Sequence, residues 1–122
     1  MEVMTNQSTP IIKQFVALVA LDNINSSMEF VEQLADDIVN DLDLTLVKKV
    51  SHQFTPTGIT LAYLLSQSHL VIHTWPESGT VHIDLVMCAD RSEKEFANTV
   101  KVALNEYEVS SIEIKTVNFD NI

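Results

Sequence analysis

The side chains able to do chemistry crowd into one stretch: Ser66, Gln67, Ser68, His69, His73, Glu77, His82, Asp84 and Cys88. His69 and His73 are four apart, and on a helix that spacing would present two imidazoles to one metal. The residues between them, Leu70-Val71-Ile72, argue for a strand instead. There the two rings share a face but stand farther apart, and no tight set of Cys, His and carboxylate ligands accompanies them, so the reading is of no metal site. A hydrolase nucleophile at Ser68 would need a sharp strand-to-helix turn, usually flanked by glycines. Its neighbours are Gln67 and His69, and the chain has only two glycines. Cys88 is the sole cysteine, which excludes an internal disulfide, and a cysteine by itself packs as a small hydrophobe. Phe54 taken alone reads as core, Trp75-Pro76 as a strand-edge cap, Glu77 as a solvated turn residue, and His82 as a surface or dimer contact.

The elements that must position these groups follow from periodicity. Ile11 to Leu21 is rich in Ile, Val, Leu and Phe and predicts a buried strand. From Met28 the period changes to four, through Phe30, Leu34, Ile38 and Leu42, which predicts an amphipathic helix with Ser26 or Ser27 as N-cap. Leu44 to Phe54 reads as a strand with Leu46, Val50 and Phe54 on one face. A turn at Thr55-Pro56-Thr57-Gly58 leads to a strand from Ile59 to Leu65, broken at Ser66-Gln67 and resumed from His69 to Trp75. After the turn Pro76-Glu77-Ser78-Gly79, the residues Val81, Ile83, Leu85 and Met87 alternate with His82, Asp84, Val86 and Cys88, as in a strand buried on one side. A second helix from about Ser92 to Glu106 and a strand from Ser111 to Phe119 complete the order β-α-β-β-β-β-α-β. Strands joined by tight turns predict an α+β two-layer sandwich, with two helices on one face of a mainly antiparallel sheet.

The chain of 122 residues fits a single domain, 1–122, without repeats or linkers. With 46% hydrophobic and 20% charged residues its balance is globular, and its small size makes added burial in a dimer physically reasonable. The formal net charge of −10 repels phosphate backbones and argues against nucleic acid. It would weakly favour a cationic ligand, although acidic surfaces also simply confer solubility. Residues Met1 to Pro10 are polar and unlike a signal peptide, and Ile11 to Leu21 is too short to span a bilayer, so the expected setting is cytoplasmic and not membrane-bound.

The run Ser66-Gln67-Ser68-His69-Leu70-Val71-Ile72-His73-Thr74-Trp75-Pro76-Glu77 resembles the self-cleavage signature of the prokaryotic S-adenosylmethionine decarboxylases. Cys88-Ala89-Asp90 stands where that family has Cys-Gly-Asp, and Phe54, Pro56, Gly58 and Thr60 fit its Phe-x-Pro-x-Gly-Val-Ser pattern. The resemblance spans nearly the whole chain. It implies a proenzyme that cuts itself between Gln67 and Ser68 into 1–67 and 68–122, leaving a covalently bound pyruvoyl group made from Ser68. Attack of the Ser68 hydroxyl on the Gln67 carbonyl would give an ester, and elimination would then release the chain ending at Gln67. By resemblance His73 is the processing base, Thr60 the hydroxyl that assists processing, and Cys88 the proton donor in turnover. The pyruvoyl carbonyl would form a Schiff base with the substrate amine and take up the electrons left by carbon dioxide. Phe54 would stack on the adenine ring, Glu77 would lie at the substrate pocket, and the protein would be a homodimer serving polyamine (spermidine) synthesis.

Geometry sets a condition on this reading. Ser68 and His73 are five apart, so on one straight strand they face opposite sides. For His73 to reach Ser68, the chain must bend between them or Ser68 must lie in the turn. Cys88 shares a face with His82, Asp84 and Val86. The chain also departs from the family pattern: Gln67 replaces a Glu, Ser78 an aromatic residue and Ala89 a glycine. Arginine or ornithine decarboxylation on the same scaffold is the alternative, since both substrates are cationic. An uncleaved homologue that regulates an active decarboxylase is a third reading, and Cys88 speaks against it.

Overall fold

The computed structural model describes residues 10–23 and 27–119. Within them the chain runs β1 (Lys13–Leu21), α1 (Met28–Asp41), β2 (Leu46–Gln53), β3 (Ile59–Leu65), β4 (Ser68–Trp75), a 3-10 turn at Pro76–Ser78, β5 (Thr80–Met87), α2 (Glu93–Ala103) and β6 (Val109–Val117). The expected element order and the α+β sandwich are both found. Local chemistry explains the boundaries. The Ser27 hydroxyl caps α1 by accepting from Phe30 N at 3.1 Å, while Ser26 lies outside the described residues. Ser92 and Glu95 form a reciprocal capping box on α2, which has Glu93 and Glu95 in its first turn and Lys101 in its last, each suited to the helix dipole.

All six strands form one sheet in the order β2-β3-β4-β5-β1-β6, and every neighbouring pair is antiparallel. Alternation then divides the side chains. Phe15, Ala17 and Val19 of β1, Leu61 and Tyr63 of β3, Leu70 and Ile72 of β4, and Ile83 and Leu85 of β5 are buried beneath the helices with Phe30, Leu34, Ile38, Phe96 and Val100. Phe15 stacks on Phe96 with ring centroids 5.3 Å apart. The Tyr63 hydroxyl, carried into this core, donates to Asp36 Oδ1 at 2.7 Å. Burial, reinforced by that carboxylate, pushes the phenol well above its ordinary range and keeps it a proton donor.

Among the described residues no helix lies over the other sheet face. It carries Val16, Leu18, Val50, Ala62, Leu64, Val71, Trp75 and Val86 beside Thr60, His73, His82 and Asp84. One sequence expectation fails here. Leu46, Val50 and Phe54 do not share one face: Phe54 lies beyond the end of β2, and every residue of the strand is exposed. The strand is the sheet edge, α1 packs on β3 and β4, and a bulge between Leu46 and Lys48 turns Leu46 and Val50 to opposite sides.

The turn into β5 is pinned where two segments nearly touch. Gly79 adopts φ 67°, its carbonyl accepts from Leu21 N at 2.7 Å, and an added Cβ would meet Leu21 O at 2.2 Å. Backbone at that distance cannot yield as a side-chain tip can. Gly79→Ala is therefore expected to lower the unfolding free energy by roughly 1–3 kcal/mol, seen as an earlier urea midpoint; an unchanged midpoint would contradict the packing described.

Candidate active site

The residues singled out in the sequence gather at two ends of β4. At its start, β3 and β4 form a hairpin with a two-residue loop, Ser66-Gln67, closed by the pair Leu65 and Ser68. Gln67 sits at φ 57°, a left-handed conformation that costs a residue bearing a Cβ about 1 kcal/mol. Ser66, the first loop residue, has no such positive φ, whereas turns matched to hairpin twist require one there. The backbone is held in place all the same, since Ser66 N donates to Thr45 O at 2.9 Å. The peptide bond between Gln67 and Ser68 thus leaves a strained residue on an exposed turn. Ser68 itself is half-buried, and its hydroxyl accepts from Cys88 N at 3.3 Å, one residue beyond the end of β5.

At the far end of β4, Thr60 of β3 pairs with His73, and Thr60 Oγ1 lies 2.8 Å from His73 Nδ1. These two residues line a cleft of about 350 Å³ with Phe54, Thr57, Gly58 and Trp75. Gly58, at φ 105°, allows the loop to fold back so that its carbonyl accepts from Phe54 N at 2.8 Å. Thr57 Oγ1 donates to Glu77 Oε1 at 3.3 Å, which ties the carboxylate to a residue of the cleft wall. The two aromatic rings, Phe54 and Trp75, are each about half exposed and stand as its apolar walls.

The structure therefore joins Ser68 to Cys88 and Thr60 to His73, but does not join one pair to the other. The strand β4 is continuous from Ser68 to Trp75, and its ladder to β3 has no bulge. Five residues of strand separate Ser68 from His73 by about 16 Å, and the two fall on opposite faces. Neither condition stated from the sequence is met within one chain: β4 does not bend, and Ser68 pairs with Leu65 as the first strand residue instead of lying in the turn. Trp75, taken from sequence as an edge cap, lies in the cleft instead. Its place follows from sharing a face with His73 two residues away, and alternation could have revealed it.

Around His73 the electrostatics favour the neutral ring. Burial depresses its affinity for a proton, His82 acts in the same direction, and Asp84 opposes them. Among the described residues no group of three or more His, Cys, Asp or Glu is arranged to hold a metal ion.

Comparison with known proteins gives a consistent set of similarities. The sequence model described as S-adenosylmethionine decarboxylase matches residues 19–116. An S-adenosylmethionine decarboxylase proenzyme of Thermosipho africanus is 35% identical over 103 residues, 84% of this chain and 76% of that one. The proenzyme of Acidithiobacillus ferrooxidans is 35% identical over 91 residues, 74% and 68% of the two chains. That of Archaeoglobus fulgidus is 42% identical over 69 residues, so the matched segment spans 57% of this chain and 62% of the relative's length. The crystal structure of the adenosylmethionine decarboxylase from Aquifex aeolicus superposes with a TM-score of 0.74 over 94% of this chain and 95% of that one. At 24% sequence identity this likeness speaks for the fold.

The depressed basicity of His73 has a stability consequence with a definite sign. Below its ordinary value of 6.5 the unfolded chain takes a proton that the folded chain resists, so the contribution of this residue is present above that pH and is lost on acidification. The urea midpoint should fall between pH 7 and pH 5, and fall less in His73→Gln. An equal fall in both proteins would remove His73 as the cause.

Proposed function

The chain belongs to the S-adenosylmethionine decarboxylase family, and from that premise we propose that it is a self-processing, pyruvoyl-dependent decarboxylase of S-adenosylmethionine. The observation that carries the reading is the division of its reactive groups into Ser68–Cys88 and Thr60–His73 at opposite ends of one strand. A two-fold axis that reverses strand direction brings the second pair of one copy to the hairpin end of β4 in another, where Ser68 opens the strand beside Cys88 and is reached at the turn rather than through the sheet. The uncovered sheet face supports this arrangement, since it is apolar enough to bury against its own copy and surrounds His73. The functional unit is thus a homodimer with composite sites, each completed by the second protomer.

The residues at the hairpin fit a group made from Ser68. The peptide to be broken follows the strained Gln67, the hydroxyl is half-buried, and an N–H from Cys88 already meets it. During processing the Ser68 Oγ attacks the Gln67 carbonyl carbon, the C–N bond to Ser68 breaks, and an ester forms. Thr60 of the second protomer donates toward the oxyanion, and His73 beside it accepts the α-proton of residue 68 in the elimination, which breaks the Cβ–O bond and frees the carboxylate of Gln67. Water then hydrolyses the enamine left at residue 68, its nitrogen leaves as ammonia, and a carbonyl remains. When formed, the pyruvoyl group supplies a carbonyl into which the electrons of the lost carboxylate can delocalise. Cys88, held next to residue 68 by the backbone, returns a proton to the substrate α-carbon.

The cleft also supports the choice of substrate. Phe54 and Trp75 offer two π faces, suited to a flat adenine and to a sulfonium cation, whereas arginine and ornithine bring no aromatic base to fill it. Glu77, oriented by Thr57, is placed to accept from ribose hydroxyls. The implied place of work is the cytoplasm and the implied product serves polyamine synthesis. No described helix is long and apolar enough to cross a membrane.

Intact-mass spectrometry should find two fragments divided between Gln67 and Ser68, and a single mass for Ser68→Ala. Carbon dioxide should then be released from carboxyl-labelled S-adenosylmethionine and not from arginine or ornithine. The composite site has its own test: Ser68→Ala and His73→Ala are each expected to stay uncut alone, while unfolding and refolding them together should yield cleavage of the His73→Ala chain only. Absence of cleavage in the mixture, with mixed dimers present, would return the whole site to one chain.

A further inference from the structure

His82 is used by none of the steps above, yet it stands beside the histidine on which they depend. In the β4–β5 ladder His82 is the direct partner of His73, and their ring centroids lie 6.3 Å apart. Both project from the uncovered sheet face, and both are partly shielded from solvent. We propose that His82 is a positioning residue for His73, its ring facing His73 across the ladder and holding that imidazole in the uncharged, proton-accepting form.

The physical argument is that two imidazolium rings at this separation repel, and partial burial limits the screening that water would supply. The other neighbours of the pair cannot substitute. On β3, Thr60 is uncharged and engages Nδ1 of His73; in the tautomer whose Nδ1–H donates to Thr60, Nε2 carries the free lone pair. On β4, Trp75 lies 5.9 Å from the His73 ring and carries no charge. On β1, His82 faces Leu18. Asp84 of β5 favours the charged ring, but its Oδ1 accepts from Gln14 Nε2 at 3.1 Å across β1. The remaining ionisable groups on this face stand farther off: His52 of β2 beyond Thr60, Lys48 of β2 beyond Leu64, His69 of β4 four residues before His73, Glu113 of β6 beyond Leu18, and Lys115 of β6 beyond Val16. In the proposed dimer the second copy contributes the same set. His82 is therefore the nearest group that can set a second positive charge against His73. The effect is a floor under the pH at which the base remains available.

The inference rests on the reading of His73 as processing base, but its first test does not. In the uncut Ser68→Ala background, the His73 ring is followed by NMR through a pH titration, with His82→Gln and His82→Lys compared. Removing the charge should move the His73 midpoint up, and fixing a charge should move it down; a structural role alone would not produce opposite shifts. An unmoved midpoint in both variants, with native-like spectra, overturns the proposal. With Ser68 restored, His82→Gln should show a severalfold loss of cleavage rate at mildly acidic pH and little change at neutral pH. If the NMR midpoints move as expected while the cleavage profile does not, the coupling of the two histidines stands and the assignment of His73 as the base fails.

Discussion

The unbroken ladder between β3 and β4 is the constraint from which the rest of the site follows. With no bulge between Leu65–Ser68 and Ile59–Thr74, every side chain on β4 has a fixed face and a fixed height. Thr60 is thereby held opposite His73, and Ser68 is held against the chain leaving β5. The same ladder keeps the two pairs apart, so the chemistry cannot be assembled by rearranging one sheet without breaking its hydrogen bonds. Association is a cheaper solution than distortion, because the exposed face already carries apolar area that water disfavours. In the proposed dimer, the catalytic arrangement and the assembly would be two expressions of one register.

Much of this was legible in the sequence where the signal is local. The two hairpin strands, read as Ile59 to Leu65 and His69 to Trp75, the alternation along β5 and a serine cap on α1 all follow from spacing over a few residues. Even the separation of Ser68 from His73 is contained in the number five and the two-residue period of a strand. The edge position of β2 was not legible. Its apolar spacing resembles that of a half-buried strand, and only the reach of α1, which stops at β4 and β3, leaves it bare. Nor could local pattern reveal the approach of Thr60 to His73, or of His73 to His82, because such contacts depend on registers set between distant segments. The roles given to Phe54 and Glu77 came from resemblance; the cleft that Phe54 shares with Thr57, Gly58 and Trp75, and the bond from Thr57 to Glu77, came from the fold.

Departures from the family pattern fall where the geometry can absorb them. Gln67 contributes its backbone conformation to the turn, and that depends on the fold around it more than on a side-chain charge. Ser78 is engaged with Thr80 at 2.8 Å in the turn after Glu77 and is not among the residues that line the cleft. Ala89 follows Cys88 outside the regular strand, where no positive φ is required of it.

The order of the strands gives the cut a consequence beyond the cofactor. Opening the bond before Ser68 would leave β1, β2 and β3 on one polypeptide and β4, β5 and β6 on the other, interleaved so that β1 lies between β5 and β6. Three seams of the sheet would then join different molecules, and the mature protein would be a complex that had folded as a single chain. Its folding is unimolecular before the cut, but any later reassembly would depend on concentration and on two partners meeting. Denaturation that was reversible for the precursor would become effectively one-way for the product. The mature fold would persist through slow unfolding, as a structure its own two chains are poorly placed to rebuild.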